Sequence, residues 1–229
     1  MANRKIGIVG GMGPIAGVEM TKKFYSLIDV KYDSQYPTIL LINDTSIPSR
    51  TRSFLFNEQS PTDRIVEIFE DLINLSVTDI LVACNSAHYF IENYHFPKHV
   101  KFWNIIENTS KNVLRMNLKY YVVLGGEVTV YSKLYDKYLE SCMTSVEYSK
   151  EFFARVREII DIIKSNSTRH DTFAKLLEVV SNIVVDVDET VIVLACTELT
   201  FFKDDLIQSG FIVVDSVEEA VLNCINENN

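Results

Sequence analysis

The chain carries one two-part pattern twice, and this duplication constrains its fold more than any other feature. The first copy opens with an apolar segment that ends in Gly10-Gly11, and the second opens with one that ends in Gly125-Gly126. Each copy later reaches another apolar segment that ends in an Ala-Cys pair, at Cys84 and at Cys196. The two cysteines are separated by nearly the same number of residues as the two glycine pairs. The sequence therefore predicts two weakly similar halves.

Short apolar runs alternate with segments of helical periodicity along the whole chain. The runs predict strands at 5–9, 38–42, 79–83, 100–103, 119–124, 191–195 and 211–214. Helices are predicted at 15–30, from 62 to 75, and at 108–114, 132–139, 152–164, 171–185 and 217–225, with loops at 43–52 and 125–129. This alternation predicts an α/β fold with parallel sheets flanked by helices. We expect two similar domains related by a pseudo-two-fold axis, residues 1–105 plus 213–229 and residues 106–212.

Composition excludes several classes of partner. The 229 residues are 47% hydrophobic and 23% charged, with a net charge of −9, as in an ordinary globular protein. An acidic chain is a poor match for nucleic acid or an anionic membrane surface. We expect a cytoplasmic location, because neither a signal peptide nor a membrane-spanning apolar segment is evident. The cysteines lack C-x-x-C spacing, so a zinc site or a thioredoxin-like pair is not expected.

Cys84 and Cys196 are the main candidates for chemistry, because each stands where a buried strand gives way to small polar residues. A single such cysteine is more often a small apolar filler. If the halves face each other, however, two thiols would approach one carbon from opposite sides, which suits inversion of a stereocentre. Asn85, Ser86 and Thr197 could supply the donors that make a thiol a useful base. Cys142 and Cys224 match no motif and are expected to be structural thiols.

Three further positions are candidates for binding an anion. The turn at 10–14 is followed by a predicted helix whose first backbone N–H groups could face an anion, although its glycines do not match G-x-G-x-x-G. Arg50 and Arg52 lie in the polar loop that follows the second predicted strand, where ligands bind in open α/β sheets. Lys164 ends a predicted helix, where a basic residue commonly complements the helix dipole, and its role as an anion ligand is what a family resemblance implies.

The chain resembles the aspartate/glutamate racemase superfamily, which acts without pyridoxal phosphate, and specifically its aspartate racemase branch. The motifs that carry this resemblance extend over nearly the whole chain. They are Gly10-Gly11-Met12-Gly13-Pro14, Ile47-Pro48-Ser49-Arg50-Thr51, Ala83-Cys84-Asn85-Ser86-Ala87-His88 and Ala195-Cys196-Thr197-Glu198-Leu199.

The resemblance implies a site between two α/β domains, no cofactor or metal, an amino-acid substrate and a homodimer. It implies that Cys84 and Cys196 are the catalytic acid and base, and that Arg50 and Lys164 bind the carboxylates of the substrate. The other expected substrate-binding residues are Asn85, Ser86, Thr129, Thr197, Met12 and Gly13. His88 and Glu198 are expected to support the site from behind, with direct proton transfer by His88 as an alternative. Arg52 is not included in this set and is expected to be a solvated surface charge.

The sequence also departs from the pattern of the family. Gly126 stands where the family's second-domain loop commonly has a threonine, and we expect this loss of a hydroxyl to alter selectivity for the substrate side chain. The Asp-Ser-Gly signature of glutamate racemases is absent from the first strand. We therefore expect interconversion of L- and D-aspartate. The alternatives are racemisation of glutamate or of several amino acids, maleate isomerisation or decarboxylation, and a catalytically silent protein that binds acidic ligands.

Overall fold

The computed structural model describes residues 4–164 and 169–227, without the side chains of residues 164, 169 and 170. The chain divides into two compact units. The first unit contains Met1–Asn108 and Val217–Asn229, and the second contains Thr109–Ser216.

Each unit is built from short strands and helices in alternation. The elements up to the crossover into the second unit are β1 (Lys5–Gly10), α1 (Pro14–Leu27), β2 (Thr38–Asn43), α2 (Arg50–Phe56), α3 (Thr62–Asn74), β3 (Asp79–Val82), α4 (Ala87–Phe90), β4 (Lys101–Phe102) and α5 (Ile105–Arg115). The remainder are β5 (Tyr120–Gly125), α6 (Glu127–Tyr131), α7 (Asp136–Leu139), β6 (Thr144–Ser145), α8 (Lys150–Lys164), α9 (Arg169–Ile183), β7 (Thr190–Ala195), α10 (Lys203–Gln208), β8 (Ile212–Asp215) and α11 (Ser216–Asn226). Short 3-10 helices cover Asp33–Gln35 and Leu199–Phe202.

The two sheets have the same topology. The first is a four-stranded parallel sheet in the order β2-β1-β3-β4, and the second is a four-stranded parallel sheet in the order β6-β5-β7-β8. The glycine-ended strands β1 and β5 therefore correspond, as do the cysteine-preceding strands β3 and β7. The predicted α/β class and the similarity of the two halves are confirmed.

The core of each unit lies between the sheet and its helices. In the first unit, β3 is buried along its whole length, and α3 turns Ile65, Ile68, Phe69 and Leu72 inward. In the second unit, β7 is fully buried, and Val156 and Ile159 of α8 pack in the same cluster as Ile192 and Leu194. Strands buried on both faces read as continuous apolar runs, which explains why the sequence shows them clearly.

The boundary between the units differs from the predicted one. β8 pairs with β7, so residues 213–215 belong to the second sheet and Ser216 to the second unit, although the prediction places residues 213–216 in the first domain. α11 then returns to the first unit. There the Arg4 guanidinium donates to the Cys224 carbonyl, and Lys23 pairs with Glu218 at 2.9 Å. Charged partners just before β1 and on α1 thus hold the last helix against the first unit.

Three local predictions were wrong. Residues 50–52 form the first turn of α2 instead of a loop, and Thr129 lies within α6 instead of the predicted loop at 125–129. Helix α5 begins at Ile105 because the Asn104 side chain accepts the backbone N–H groups of Ile106 at 2.9 Å and Glu107 at 3.2 Å. The predicted cap, Asn108, is a buried residue inside that helix.

Membrane insertion finds no support in the described helices, none of which combines the length and the apolar character needed to cross a bilayer.

Candidate active site

In the first unit, the parallel strands bring three predicted site residues to one edge of the sheet. β1 pairs in parallel with both β2 and β3, so the segments that follow these strands leave from the same edge. Met12 follows β1, Arg50 follows β2 and Cys84 follows β3. The thiol of Cys84 is free, and only 8% of this residue is exposed to solvent. It packs in one apolar cluster with Met12 and Ile47.

The glycine turn after β1 makes this convergence possible. Gly11 has φ of +91°, a conformation that glycine adopts without penalty, and a Cβ there would overlap the backbone of Asp44. Gly10 lies so close to Gly17 that a Cβ added to Gly10 would be 3.1 Å from the Cα of Gly17. These contacts bring the start of α1 and the β2–α2 loop together. Gly13 occupies the N-cap position of α1 in an extended conformation and, having no side chain, provides no side-chain cap.

Arg50 is held by backbone carbonyl groups. Its Nη1 donates to the carbonyls of Ile47 at 3.2 Å and Pro48 at 2.8 Å, and its Nη2 donates to the carbonyl of Met12 at 3.0 Å. A guanidinium carries five N–H donors. Within the described part of the chain, these contacts leave the Nε–H and one Nη2–H. That pair matches the two oxygens of a carboxylate.

Arg52 behaves differently, although it lies in the same turn of α2. Its Nε and Nη2 donate to Glu58 at 2.7 Å and 2.6 Å, and the pair is exposed to solvent. Arg50 has no acidic partner among the described residues. Arg52 is thus neutralised by Glu58 at the surface. The charge of Arg50 is held at the sheet edge by the dipoles of backbone carbonyl groups.

His88 supports the cysteine segment through both ring nitrogens. Its Nε2 lies 3.4 Å from the backbone N–H of Ile105, which donates to it, and its Nδ1 lies 3.0 Å from the Cys84 carbonyl oxygen. If Nε2 accepts, the proton of the neutral ring is on Nδ1 and is donated to Cys84. The ring also stacks on Phe102 at a centroid distance of 5.6 Å. His88 therefore ties the segment after β3 to the start of α5.

Asn85 and Ser86 complete the turn between Cys84 and α4. Asn85 is buried, and its carbonyl accepts the backbone N–H of His88 at 3.1 Å. Ser86 is half-buried at the N-cap position of α4 without a side-chain capping bond. Both residues lie directly beside the thiol in sequence, as the prediction requires, and their contact with a substrate stays a prediction.

In the second unit, the corresponding strand tip carries a carboxylate against the thiol. Cys196 is half-buried, and its Sγ donates to Glu198 Oε2 at 3.0 Å. The Thr197 hydroxyl donates to the same oxygen at 3.1 Å. Glu198 therefore contacts the predicted catalytic group directly, which is a closer relation than the supporting position that the sequence suggested.

Thr129 lies beside this strand tip. It is buried in α6, with 1% of the residue exposed, and a Cβ added at Gly125 would contact both Thr129 and Ala195. Gly125 pairs with Ala195, the residue before Cys196. The same turn holds Glu127, a buried carboxylate that is ion-paired with Arg157.

The remaining predicted residue and the other two thiols lie elsewhere. Lys164 is the last residue of α8, and its side chain lies outside what the structure describes. Burial raises the pKa of the Cys224 thiol to about 12, and Arg4 donates to its sulfur at 3.0 Å. Cys142 is exposed. Within residues 4–164 and 169–227, no group of three His, Cys, Asp or Glu side chains is arranged to hold a metal ion.

Two α/β units of identical strand order, each with a thiol directly after an interior strand of its parallel sheet, match the arrangement that the resemblance to cofactor-independent racemases implies. The comparison with known families agrees. The chain belongs to the Asp/Glu/hydantoin racemase family, whose model matches residues 9–224, and is an amino-acid racemase of the kind that acts without pyridoxal phosphate.

Individual relatives extend over nearly the same length. The chain is 27% identical over 215 residues to the broad specificity amino-acid racemase RacX of Bacillus subtilis, which covers 92% of each chain. It is similar to the aspartate racemase of Picrophilus torridus with a TM-score of 0.84 and 26% identity, covering 97% of this chain and 93% of that one. A glutamate racemase of Francisella tularensis shares the fold, with a TM-score of 0.69, 18% identity and coverage of 98% and 80%.

Two features of the site were missed by sequence reasoning. The carbonyls that hold Arg50 belong to Met12, Ile47 and Pro48, and a backbone acceptor leaves no signature in residue type. Asn104 was also not predicted as the residue that caps α5, although an Asn three residues before a Glu is a recognisable helix-start pattern. Because Asn108-Thr109-Ser110 offers three capping residues in a row, it masked the correct start of α5.

Proposed function

We propose that this protein interconverts L- and D-aspartate by two-base proton transfer at Cα, with Cys84 and Cys196 on opposite faces of the substrate. The observation that carries the proposal is the pair of thiols at matching positions, directly after β3 and β7. A single thiol in this place would be consistent with an apolar filler. Matched thiols after corresponding strands of two similar units fit a reaction that needs the same group twice.

The reaction requires one proton to leave and one to arrive. One cysteine, as thiolate, takes the Cα proton and becomes a thiol, and the other cysteine, as thiol, gives its proton to the far face and becomes a thiolate. The opposite enantiomer forms, and the total number of protons on the two sulfurs is unchanged. Positioned general acid/base groups of this kind typically contribute about 10²–10⁴-fold each.

Selectivity for an acidic substrate would come from Arg50 and Lys164. The two N–H groups that Arg50 keeps available suit bidentate binding of one carboxylate. In the proposal, Lys164 binds the other carboxylate. Asn85, Ser86, Thr129, Thr197 and the Met12–Gly13 turn surround the α-carboxylate and the ammonium group.

A broader substrate range is the second candidate. The similarity to the broad specificity racemase of Bacillus subtilis favours it, as does Gly126, which offers no side chain where the family commonly has threonine. A pocket with fewer polar anchors discriminates less between side chains, because binding the wrong one leaves fewer groups unpaired.

A panel assay separates these functions. The enzyme is incubated without pyridoxal phosphate with separate L-amino acids, including aspartate, glutamate, alanine and lysine, and D-products are measured by chiral chromatography. The proposal expects D-aspartate to form fastest. Similar rates across the panel would favour a broad substrate range over a preference for aspartate. Binding of aspartate in calorimetry without any D-product would identify a silent binder.

We also propose that the active form is a cytoplasmic homodimer, as the family resemblance implies. Light scattering coupled to size-exclusion chromatography should give twice the mass of the 26.2 kDa chain. A monomer with full activity would contradict the dimer without affecting the proposed reaction.

A further inference from the structure

The two candidate thiols differ in their polar surroundings. Cys196 donates from Sγ to Glu198 Oε2 at 3.0 Å. Ser86 occupies the corresponding position two residues after Cys84, so this strand tip has a hydroxyl in place of the carboxylate. Among the described contacts of Cys84, the polar one is made by its carbonyl, with His88.

A carboxylate at this distance favours one protonation state of its neighbour. The thiol form of Cys196 donates a hydrogen bond to Glu198, whereas a thiolate there would face a second negative charge. At 3.0 Å, the repulsion between two unit charges corresponds to about one pH unit even when water screens it fully, and to more in a half-buried site.

Other charged groups at the described carboxyl-end edge of the second sheet have partners of their own. Glu127 at the start of α6 is ion-paired with Arg157 of α8. Asp215, the last residue of β8, accepts the Thr200 hydroxyl at 3.1 Å. Glu198 is the carboxylate whose hydrogen bond reaches the sulfur, so its effect on Cys196 is the direct one.

We propose that Glu198 makes the two thiols unequal: before substrate binds, Cys196 is the proton-carrying acid and Cys84 is the base. The inference rests on the proposed function. In the forward step, Cys84 takes the Cα proton and Cys196 transfers its S–H proton to the opposite face, which leaves a thiolate beside Glu198. Repulsion from the carboxylate favours reprotonation of Cys196 from solvent as Cys84 returns its proton. Glu198 is thus a positioning residue that acts through Cys196.

The rate ratio of the two directions cannot reveal this asymmetry. Because L and D enantiomers have equal free energy, kcat/KM must be the same in both directions whatever the two thiols do. The asymmetry appears instead in the pH at which each sulfur becomes reactive, so the test is a titration of the thiols in the absence of substrate.

The experiment measures iodoacetamide alkylation of each cysteine by peptide mass spectrometry as a function of pH, in the full-length chain. In Glu198→Gln, the pH midpoint for Cys196 should fall by about one unit or more, while the profile of Cys84 stays the same. The high-pH limb of the racemisation rate should move by the same amount. Glu178→Gln is the matched control, because it also removes one negative charge from the second unit, at an exposed ion pair with Arg155.

Equal midpoints for Cys196 in the wild type and Glu198→Gln would overturn the proposal, as would an equal shift in Glu178→Gln. If circular dichroism shows that Glu198→Gln is unfolded, Glu198→Asp decides, since the shorter carboxylate retreats from the sulfur and should give a smaller shift in the same direction. Absence of substrate α-deuteration would overturn the proposed function and the acid role of Cys196. The thiol titration would still report whether Glu198 controls that sulfur.

Discussion

The strand tips after β3 and β7 share a backbone design but surround their thiols differently. Cys84 is buried among apolar side chains, and its segment is held by His88 through the main chain. Cys196 is half-buried, and its sulfur itself contacts a carboxylate. The repeated topology places a thiol in each unit. The residues two and four positions after each cysteine determine the polar contacts of that thiol and of the segment that carries it.

The residue four positions after each cysteine shows the same contrast between a shared topology and different side chains. His88 links its turn to the start of α5 through Ile105, and Thr200 links its turn to the end of β8 through Asp215. Both bonds join the cysteine segment to the chain at or shortly after the carboxyl end of the next strand in the sheet, at Ile105 beyond β4 and at Asp215 in β8. The two units therefore fix their cysteines by equivalent connections made from different side chains.

The largest expected effect is loss of either thiol. Cys84→Ala and Cys196→Ala should each lower racemisation by at least 10³-fold, within the range of about 10²–10⁴ for a lost acid/base group, because neither cysteine can replace the other. Activity is measured by polarimetry with aspartate. Cys142→Ala is the control, since that thiol is exposed and matches no motif, and it should stay within about twofold of the wild type. Full activity in either Cys84→Ala or Cys196→Ala would show that the thiols after β3 and β7 are not equally required.

Removal of a buried ion pair from the first unit should come next. Arg4, the residue before β1, binds the Asp79 carboxylate, and Trp103 Nε1 donates to the same carboxylate at 2.8 Å. Asp79→Asn should lower the free energy of unfolding by about 3 kcal/mol, as expected when one partner of a buried pair is lost. Denaturant titration measures the loss, and amide hydrogen exchange should rise mainly in residues of the first unit.

Its control is an exposed pair in the second unit. Glu189→Gln removes the partner that lies 2.9 Å from Lys119, and should change stability by less than about 1 kcal/mol. Equal effects of the two substitutions would show that the Arg4–Asp79 pair has no special role in the first unit.

Arg50 and Arg52 provide a comparison within one helical turn. Arg50→Lys should reduce kcat/KM for aspartate by about tenfold or more, because a lysine cannot satisfy the three carbonyls and still present a planar pair of donors. Arg52→Lys should leave kcat/KM nearly unchanged, since Arg52 faces solvent with Glu58. Steady-state kinetics on both variants checks this, and matching losses would contradict the assigned role of Arg50.

The smallest effect is the pH dependence of the Asp79 contribution. Burial alone would raise the pKa of Asp79, but hydrogen bonds from Arg4, Thr78 and Trp103 outweigh it and hold the pKa below its ordinary value. A depressed carboxyl pKa stabilises the fold at any pH above the unfolded value of about 3.9, and the contribution is lost as the pH falls further. Below about pH 4, stability should therefore fall less steeply in Asp79→Asn than in the wild type. Identical slopes would show that another group carries the acid sensitivity.

Most of the fold could be predicted because the interior strands of both sheets are buried on both faces. Ile6, Ile8 and Val9 of β1 are fully buried, and no polar residue interrupts the run. The parallel order followed from the alternation with helices. Short elements fared worse, because α6 has five residues and its helical state depends on packing against β5 more than on its own pattern.

The candidate site was predictable in its residue types and less so in its contacts. A duplicated Ala-Cys pair is visible in the letters, so Cys84 and Cys196 could be selected together. The fixing of Arg50 by three carbonyls and the direct bond between Cys196 and Glu198 depend on backbone geometry that one sequence does not encode locally. The boundary at residue 216 was missed for a similar reason, since only strand pairing shows which sheet receives β8.

The central claim is that two cysteines act on opposite faces of one carbon, and the position of deuterium tests it most directly. The enzyme is given L-aspartate in deuterated water, and at early times the two enantiomers are separated and analysed by mass spectrometry. The account predicts that nearly every newly formed D-aspartate carries deuterium at Cα, while the remaining L-aspartate stays protonated. Early deuterium in the remaining L-aspartate, or D-aspartate that retains the original proton, would mean that one group serves both faces and would contradict the account.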